Sequence, residues 1–158
     1  MKMFELFKSD IEVFYPKFSI KNLIKALVNP SIHACFFIRI MTSNRSKVVH
    51  ILLRNILIWK HSIDVGYGVS IGRTLHLPHP LGIVIGDGVE IGNRVSIYHN
   101  CTLGNKRGEY PNIKDGVCIY PNTTIVGGII IGENAIIGAN SFVDKDVKEE
   151  SCFKSGNS

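Results

Sequence analysis

The sequence predicts a mainly β protein, a parallel β-helix of stacked six-residue units, preceded by a small α-helical region. Two observations carry that expectation. An aliphatic residue recurs every six positions, at 65, 71 and 77, then 85, 91, 97 and 103, then 113, 119, 125, 131, 137 and 143, and all thirteen are Val, Ile or Leu. Fourteen of the fifteen glycines lie between Gly66 and Gly138, with none before Gly66. At 158 residues the chain is long enough for one domain and an appendage. The division falls at residues 1–60 for the helical region and 61–158 for the β-helix.

In the first region, "IKNLIKALVNPSIHACFFIRIM" and "SKVVHILLRNILIWK" place apolar residues three and four apart, which predicts two or three short helices with a break near "NP". Ten Lys or Arg stand against three acids over residues 1–60, and eight against ten over 61–158, so the net charge of +5 belongs to the N-terminus. Such a face suits either solvent or an anionic lipid surface or acidic substrate. The apolar runs are short and carry Arg39 and Arg54, which argues against a membrane span. No signal peptide is recognisable, and a cytoplasmic protein, in contact with the inner membrane face through its basic region, is expected. No nucleic-acid partner is expected. Cys35, Cys101, Cys118 and Cys152 show no CxxC spacing and are expected to be reduced structural thiols.

From Val65 onward each six-residue unit reads as one short strand and one corner. Apolar residues at the ladder position and two before it point inward in an extended segment. Glycine follows seven of the thirteen ladder residues and eases the turn. Units this short bury nothing alone and must stack as a solenoid, whereas the strands of a sandwich would be less evenly spaced. The ladder slips twice, by two residues between 77 and 85 ("LPHPLG") and by four between 103 and 113. Extra residues cannot join stacked strands, so both breaks are expected to protrude at corners.

The segments "LPHPLGIVIG", "GIVIGDGVEIGNRVSIYHNCTLGN" and "GVCIYPNTTIVGGIIIGENAIIGANSFV" resemble the hexapeptide-repeat acyltransferases, nearest to serine acetyltransferases and related sugar O-acetyltransferases. The resemblance covers about residues 60 to 147 and, more weakly, "NPSIHACFFIRI". It implies a left-handed triangular β-helix, a homotrimer, and acetyl-coenzyme A as acetyl donor in a groove between subunits. It places the catalytic histidine on His79 and the supporting aspartate on Asp64. A hydroxyl is a poor nucleophile until a base takes its proton, and imidazole has a suitable pKa. Asp64 would orient the ring and stabilise the imidazolium. Gly104, Asn105, Pro121 and Ala139 fall at positions offering backbone contacts to pantetheine, and Lys106, Arg107 and Lys114 are candidates for the phosphates.

His99 occupies the place in its unit that His79 occupies one coil earlier, so the two are expected to approach each other. The histidine spacing does not match the zinc-binding β-helices that the shape also brings to mind, and no metal is expected. His76 is expected to face solvent or pack locally. Serine acetyltransferases carry an aspartate before the catalytic histidine and an Arg-His pair in the loop corresponding to "NKRGEYPNIK". This chain has Pro78, Glu109 and Tyr110 there. The loop is shorter, the helical region is shorter, and "KEESCFKSGNS" lacks the isoleucine-ended tail with which many of those enzymes grip cysteine synthase.

With Pro78, Glu109, Tyr110 and His99 at the acceptor, the departures lead to the expectation of a sugar or glycan hydroxyl, within bacterial surface-polysaccharide synthesis. Serine O-acetylation in cysteine biosynthesis is the alternative, and a non-catalytic β-helix scaffold is the alternative of another class.

Overall fold

The computed structural model describes residues 3–17, 19–44 and 46–154. Four helices come first: α1 (Met3–Phe14), α2 (Ile20–Val28), α3 (Pro30–Ser43) and α4 (Lys47–His61). The last three are those the periodicity predicts. Asn29 divides α2 from α3. The proline that follows it disfavours helical backbone at Asn29, which sits at φ −80, ψ 117, while Pro30 suits the first turn of α3. The Asn29 side chain accepts the Ser31 N–H at 2.9 Å and so caps α3. Ser46 caps α4, which ends in a left-handed residue, Ser62.

Helix α1 was not anticipated, and it docks the helical region onto the solenoid. Its Asp10 and the Arg39 of α3 form a two-point ion pair (2.7 and 2.8 Å) with both side chains essentially inaccessible to water. Arg39 also donates to the carbonyls of Ile71 and Gly72 at 3.0 and 2.8 Å, and Asp10 accepts the Leu75 N–H at 2.8 Å. Ser9 accepts the Thr74 N–H. Both carboxylate oxygens and all three guanidinium nitrogens of the buried pair are therefore engaged, which offsets its desolvation.

The strands form three parallel sheets, the faces of a triangular prism. Face A holds β1 (Asp64–Val65), β3 (Val84–Ile85), β6 (Thr102–Gly104), β9 (Thr124–Val126) and β12 (Phe142–Val143). Face B holds β2 (Ser70–Ile71), β4 (Glu90–Ile91), β7 (Asn112–Ile113) and β10 (Ile130–Ile131). Face C holds β5 (Ser96–Ile97), β8 (Cys118–Ile119), β11 (Ile136–Ile137) and β13 (Cys152–Phe153). Twelve of the thirteen ladder residues are buried and the last, Ile71, is half-buried against the core. The inward set two residues earlier, from Ile63 to Ser141, is buried as well.

Register locates the breaks. Val84 pairs with Thr102 eighteen residues on, and Thr124 with Phe142 at the same interval. Asp64 pairs with Val84 at twenty and Thr102 with Thr124 at twenty-two. The two and four extra residues thus leave the ladder intact and are extruded at edges. A correction applies at the far end. The regular repeat predicts strands only from about residue 63 to 147, but the solenoid continues further, because β13 pairs with β11 through a coil shortened to sixteen residues, Ile136 to Cys152.

Candidate active site

Three edges join the faces, and every predicted residue but Asp64 lies on or beside one of them. The edge between faces C and A carries the first break, Pro78–Gly82, followed in successive coils by His99 and Asn100, Pro121 and Asn122, and Ala139 and Asn140. Asn100, Asn122 and Asn140 share a left-handed φ near 55° and bond side chain to side chain, at 3.1 and 3.0 Å. Gly82 takes the same place at φ 64°, where a Cβ would collide with the Asn100 side chain. The ladder of asparagines therefore ends under the break and supports it.

His79 stands exposed on this edge. Its ring lies 5.8 Å from that of His99, edge to face, and 6.3 Å from that of Tyr98, which stacks on Tyr120 at 5.1 Å. The expected approach of His79 and His99 is present, and His99 Nδ1 is buried without a hydrogen-bond partner among the described residues. His76 packs locally, against Phe14 and Ser96.

The expected bond between Asp64 and His79 is not formed. Asp64 lies on face A, and both its oxygens are taken by Arg54 of α4, at 2.5 and 2.8 Å. A bidentate guanidinium is a stronger partner for a carboxylate than a neutral imidazole, so it wins the competition.

Gly104, Asn105, Glu109 and Tyr110 belong to another edge, between faces A and B, where the second break protrudes. Tyr110 is half-buried against the core over Gly86, whose missing side chain leaves room for the ring. Glu109 lies beside Gly128, and Lys106 pairs with Asp144 at 2.8 Å. Within one chain, then, the acceptor candidates Pro78 and His99 accompany His79, whereas Glu109 and Tyr110 do not. Pro121 and Ala139 share the edge of His79, and Gly104 and Asn105 do not. The N–H groups of Ala139 and Asn105 are unpaired among the described residues, as a pantetheine contact requires. Lys114 lies on the third edge, between faces B and C, away from both groups.

A cavity of about 690 Å³ opens beside His79. One wall is the break, Pro78 to Leu81, and the other is helical, from the α2–α3 junction and the end of α4. Asn29, His33, Lys60 and His61 line the helical wall. Sequence reasoning missed all four, because nothing in a helix pattern shows which residue faces a corner that comes much later in the chain. Burial first, then the charges of Lys60 and His33, push His61 below the ordinary histidine pKa. Among the described residues no group of three metal-ligating side chains converges.

The comparisons with known proteins agree with this fold. The family described as bacterial transferase hexapeptide (six repeats) matches residues 110–145. A serine acetyltransferase of Helicobacter pylori is 31% identical over 128 residues, covering 77% of this chain and 75% of that protein. The mitochondrial serine acetyltransferase 3 of Arabidopsis thaliana is 43% identical over 105 residues, 64% of this chain. The chain spans only 27% of the Arabidopsis protein and 42% of the Bacillus subtilis serine acetyltransferase, to which it is 38% identical. Among solved structures, the Neisseria gonorrhoeae serine acetyltransferase in complex with serine matches with a TM-score of 0.87 at 29% identity, over 98% of this chain and 67% of that one. An Entamoeba histolytica serine acetyltransferase in complex with cysteine matches at 0.84, over 99% and 59%.

Proposed function

The chain belongs to the serine acetyltransferase family of hexapeptide-repeat transferases, with their left-handed β-helix, and from that premise we propose that it is an acetyl-coenzyme A-dependent O-acetyltransferase. The observation that carries this reading is His79, exposed on the extruded break and facing a cavity large enough for a small acceptor. His79 takes the proton of the acceptor hydroxyl as its oxygen attacks the thioester carbonyl. The C–S bond then breaks, and the imidazolium returns the proton to the departing thiolate, so no net proton is left on the enzyme. His99, the nearest ring, limits the orientations open to His79.

Serine is the acceptor favoured by the relatives' names, ahead of the glycan hydroxyl expected from the sequence alone. A sugar hydroxyl remains as second reading on a specific observation. No carboxylate among the described residues lines the cavity to meet an ammonium, and Pro78 stands beside the base. Thiol release from acetyl-coenzyme A, with L-serine and with a panel of sugars and nucleotide sugars, tests both. Turnover of serine alone removes the glycan reading, and release with no acceptor removes the acetyltransferase reading.

A homotrimer belongs to the same proposal. The edge bearing His79, Pro121 and Ala139 and the edge bearing Gly104, Asn105 and Glu109 are separate in one chain and meet only across a subunit boundary. Outward Val84, Ile130, Ile136 and Phe142 supply apolar surface for that boundary. Peripheral contact with an anionic membrane surface from the cytoplasmic side is part of the same proposal. It rests on the basic N-terminal region and on exposed Ile20, Ile24, Leu27 and Val28 of α2 beside Lys21 and Lys25. Among the described residues no single helix is long and apolar enough to cross a membrane.

A further inference from the structure

We propose that the helical wall of the cavity is an anion subsite, in which Lys60 binds a carboxylate or phosphate of the acceptor while His79 receives its hydroxyl. The inference rests on the acetyl-transfer reading for the role of the cavity, and it names the class of acceptor, a hydroxylated anion.

The local chemistry is ordered from the backbone outward. The Leu27 carbonyl at the end of α2 accepts from His33 Nε2. That bond leaves Nδ1 as the acceptor on the other side of the ring, and Lys60 Nζ lies 3.4 Å from it. One of three ammonium donors is thus engaged at the edge of hydrogen-bonding range and holds the side chain toward the cavity. The other two have no protein partner among the described residues. Lysine usually meets an acid, and here none of the described lining residues is acidic.

His61 gives a second, independent pointer. It is 96% buried against the cavity wall, as its 4% relative exposure shows, yet its Nε2 has no hydrogen-bond partner among the described residues. A buried unpaired ring nitrogen is costly to the fold, and because this one is closed to water, a ligand answers it only once the ring turns toward the cavity. The first turn of α3, capped by Asn29, opens on the same cavity and adds the positive end of a fourteen-residue helix. The Lys60 ammonium and the His61 ring at the end of α4 share one wall with the first turn of α3, and His79 stands on the opposite one.

The site therefore differs from one built for a neutral sugar, whose hydroxyls would leave the Lys60 charge unanswered. It suits serine through its carboxylate and equally suits an acidic or phosphorylated sugar. Matched acceptors separate these sources: L-serine against L-serinamide, glucuronate against glucose, and glucose 6-phosphate against glucose.

With wild type, the charged member of at least one pair is expected to have the lower KM. Lys60→Ala should raise that KM by about 10- to 100-fold with little change in kcat, in line with loss of a charge-assisted hydrogen bond, and Lys60→Arg should recover most of it. Equal use of charged and neutral members by wild type, or a KM unmoved by Lys60→Ala, overturns the subsite. If no acceptor releases thiol, the acetyl-transfer reading fails, and calorimetric titration with inorganic phosphate and with glucuronate still decides the subsite. Saturable binding to wild type that Lys60→Ala abolishes supports it. Binding that is absent, or equal in the two proteins, overturns it.

Discussion

Arg54 holds both carboxylate oxygens of Asp64, at 2.5 and 2.8 Å, and so ties the last helix to the first coil. The pair is a third to two-fifths exposed, which limits its contribution to roughly 1 kcal/mol or less. Its value is positional. Arg54 lies less than two turns before Lys60 and His61, so the anchor sets how the end of α4 meets the cavity beside His79. An aspartate fifteen residues before a histidine suggested a hydrogen-bonded dyad. What linear spacing cannot show is a competing guanidinium on a neighbouring helix.

Replacing Asp64 with Asn removes the charge from that anchor. We expect a small drop in thermal stability and a loss of turnover smaller than that of any His79 substitution. Calorimetric unfolding and steady-state rates on the same preparation check it. A kcat loss matching His79→Ala, with unchanged unfolding temperature, would instead identify Asp64 as the orienting partner of the base.

His79→Ala should lower kcat by about 10²–10⁴-fold, the usual contribution of a general base. Coenzyme A binding should change little, because the exposed ring supports no part of the core and supplies neither of the unpaired amides, those of Asn105 and Ala139. Equilibrium binding of coenzyme A beside single-turnover rates separates the two effects. Wild-type turnover in the variant would end the assignment.

The solenoid was legible because its information is local and repeated. Each unit states its own strand and corner, and a slip in the count marks an extrusion without any long-range knowledge, as at Pro78–Gly82. The site was only half legible for the opposite reason. His79 and His99 were recognisable as neighbours because both sit in the repeat, one coil apart. Helix α1 was missed, and with it the Asp10–Arg39 pair, because their partnership spans twenty-nine residues and depends on a docking that no periodicity encodes. Likewise, β13 follows a shortened coil, and a hexapeptide count that ends at Val143 cannot find it.

The buried Asp10–Arg39 pair yields a stability prediction. Removing Arg39 leaves the Asp10 charge in a dry site along with orphaned carbonyls at Ile71 and Gly72, and removing Asp10 leaves the Arg39 charge and the Leu75 N–H unanswered, so Asp10→Ala or Arg39→Ala should each cost about 3–5 kcal/mol. Replacing both together with well-packed apolar residues should cost less than the sum of the single changes. Urea unfolding of the two single variants and the double variant closes the cycle. Additive losses would mean that the two side chains act independently.

The last prediction concerns acid. His61 and His76 are both pushed below the ordinary histidine pKa of 6.5, in each case chiefly by burial. A proton therefore binds either ring more readily in the unfolded chain than in the fold. As pH falls through about 6.5, the unfolded state takes up protons that the native state refuses, so stability present above that pH is progressively lost below it. His61 carries the further repulsion of Lys60 and His33, whereas His76 feels burial alone, so the two should separate with salt. Unfolding temperatures of wild type, His61→Gln and His76→Gln between about pH 5 and 8, at low and high ionic strength, give the comparison. Each substitution should flatten the acid limb of the profile, and added salt should reduce the His61 share more than the His76 share. An acid limb that neither substitution alters would place the loss of stability on other groups.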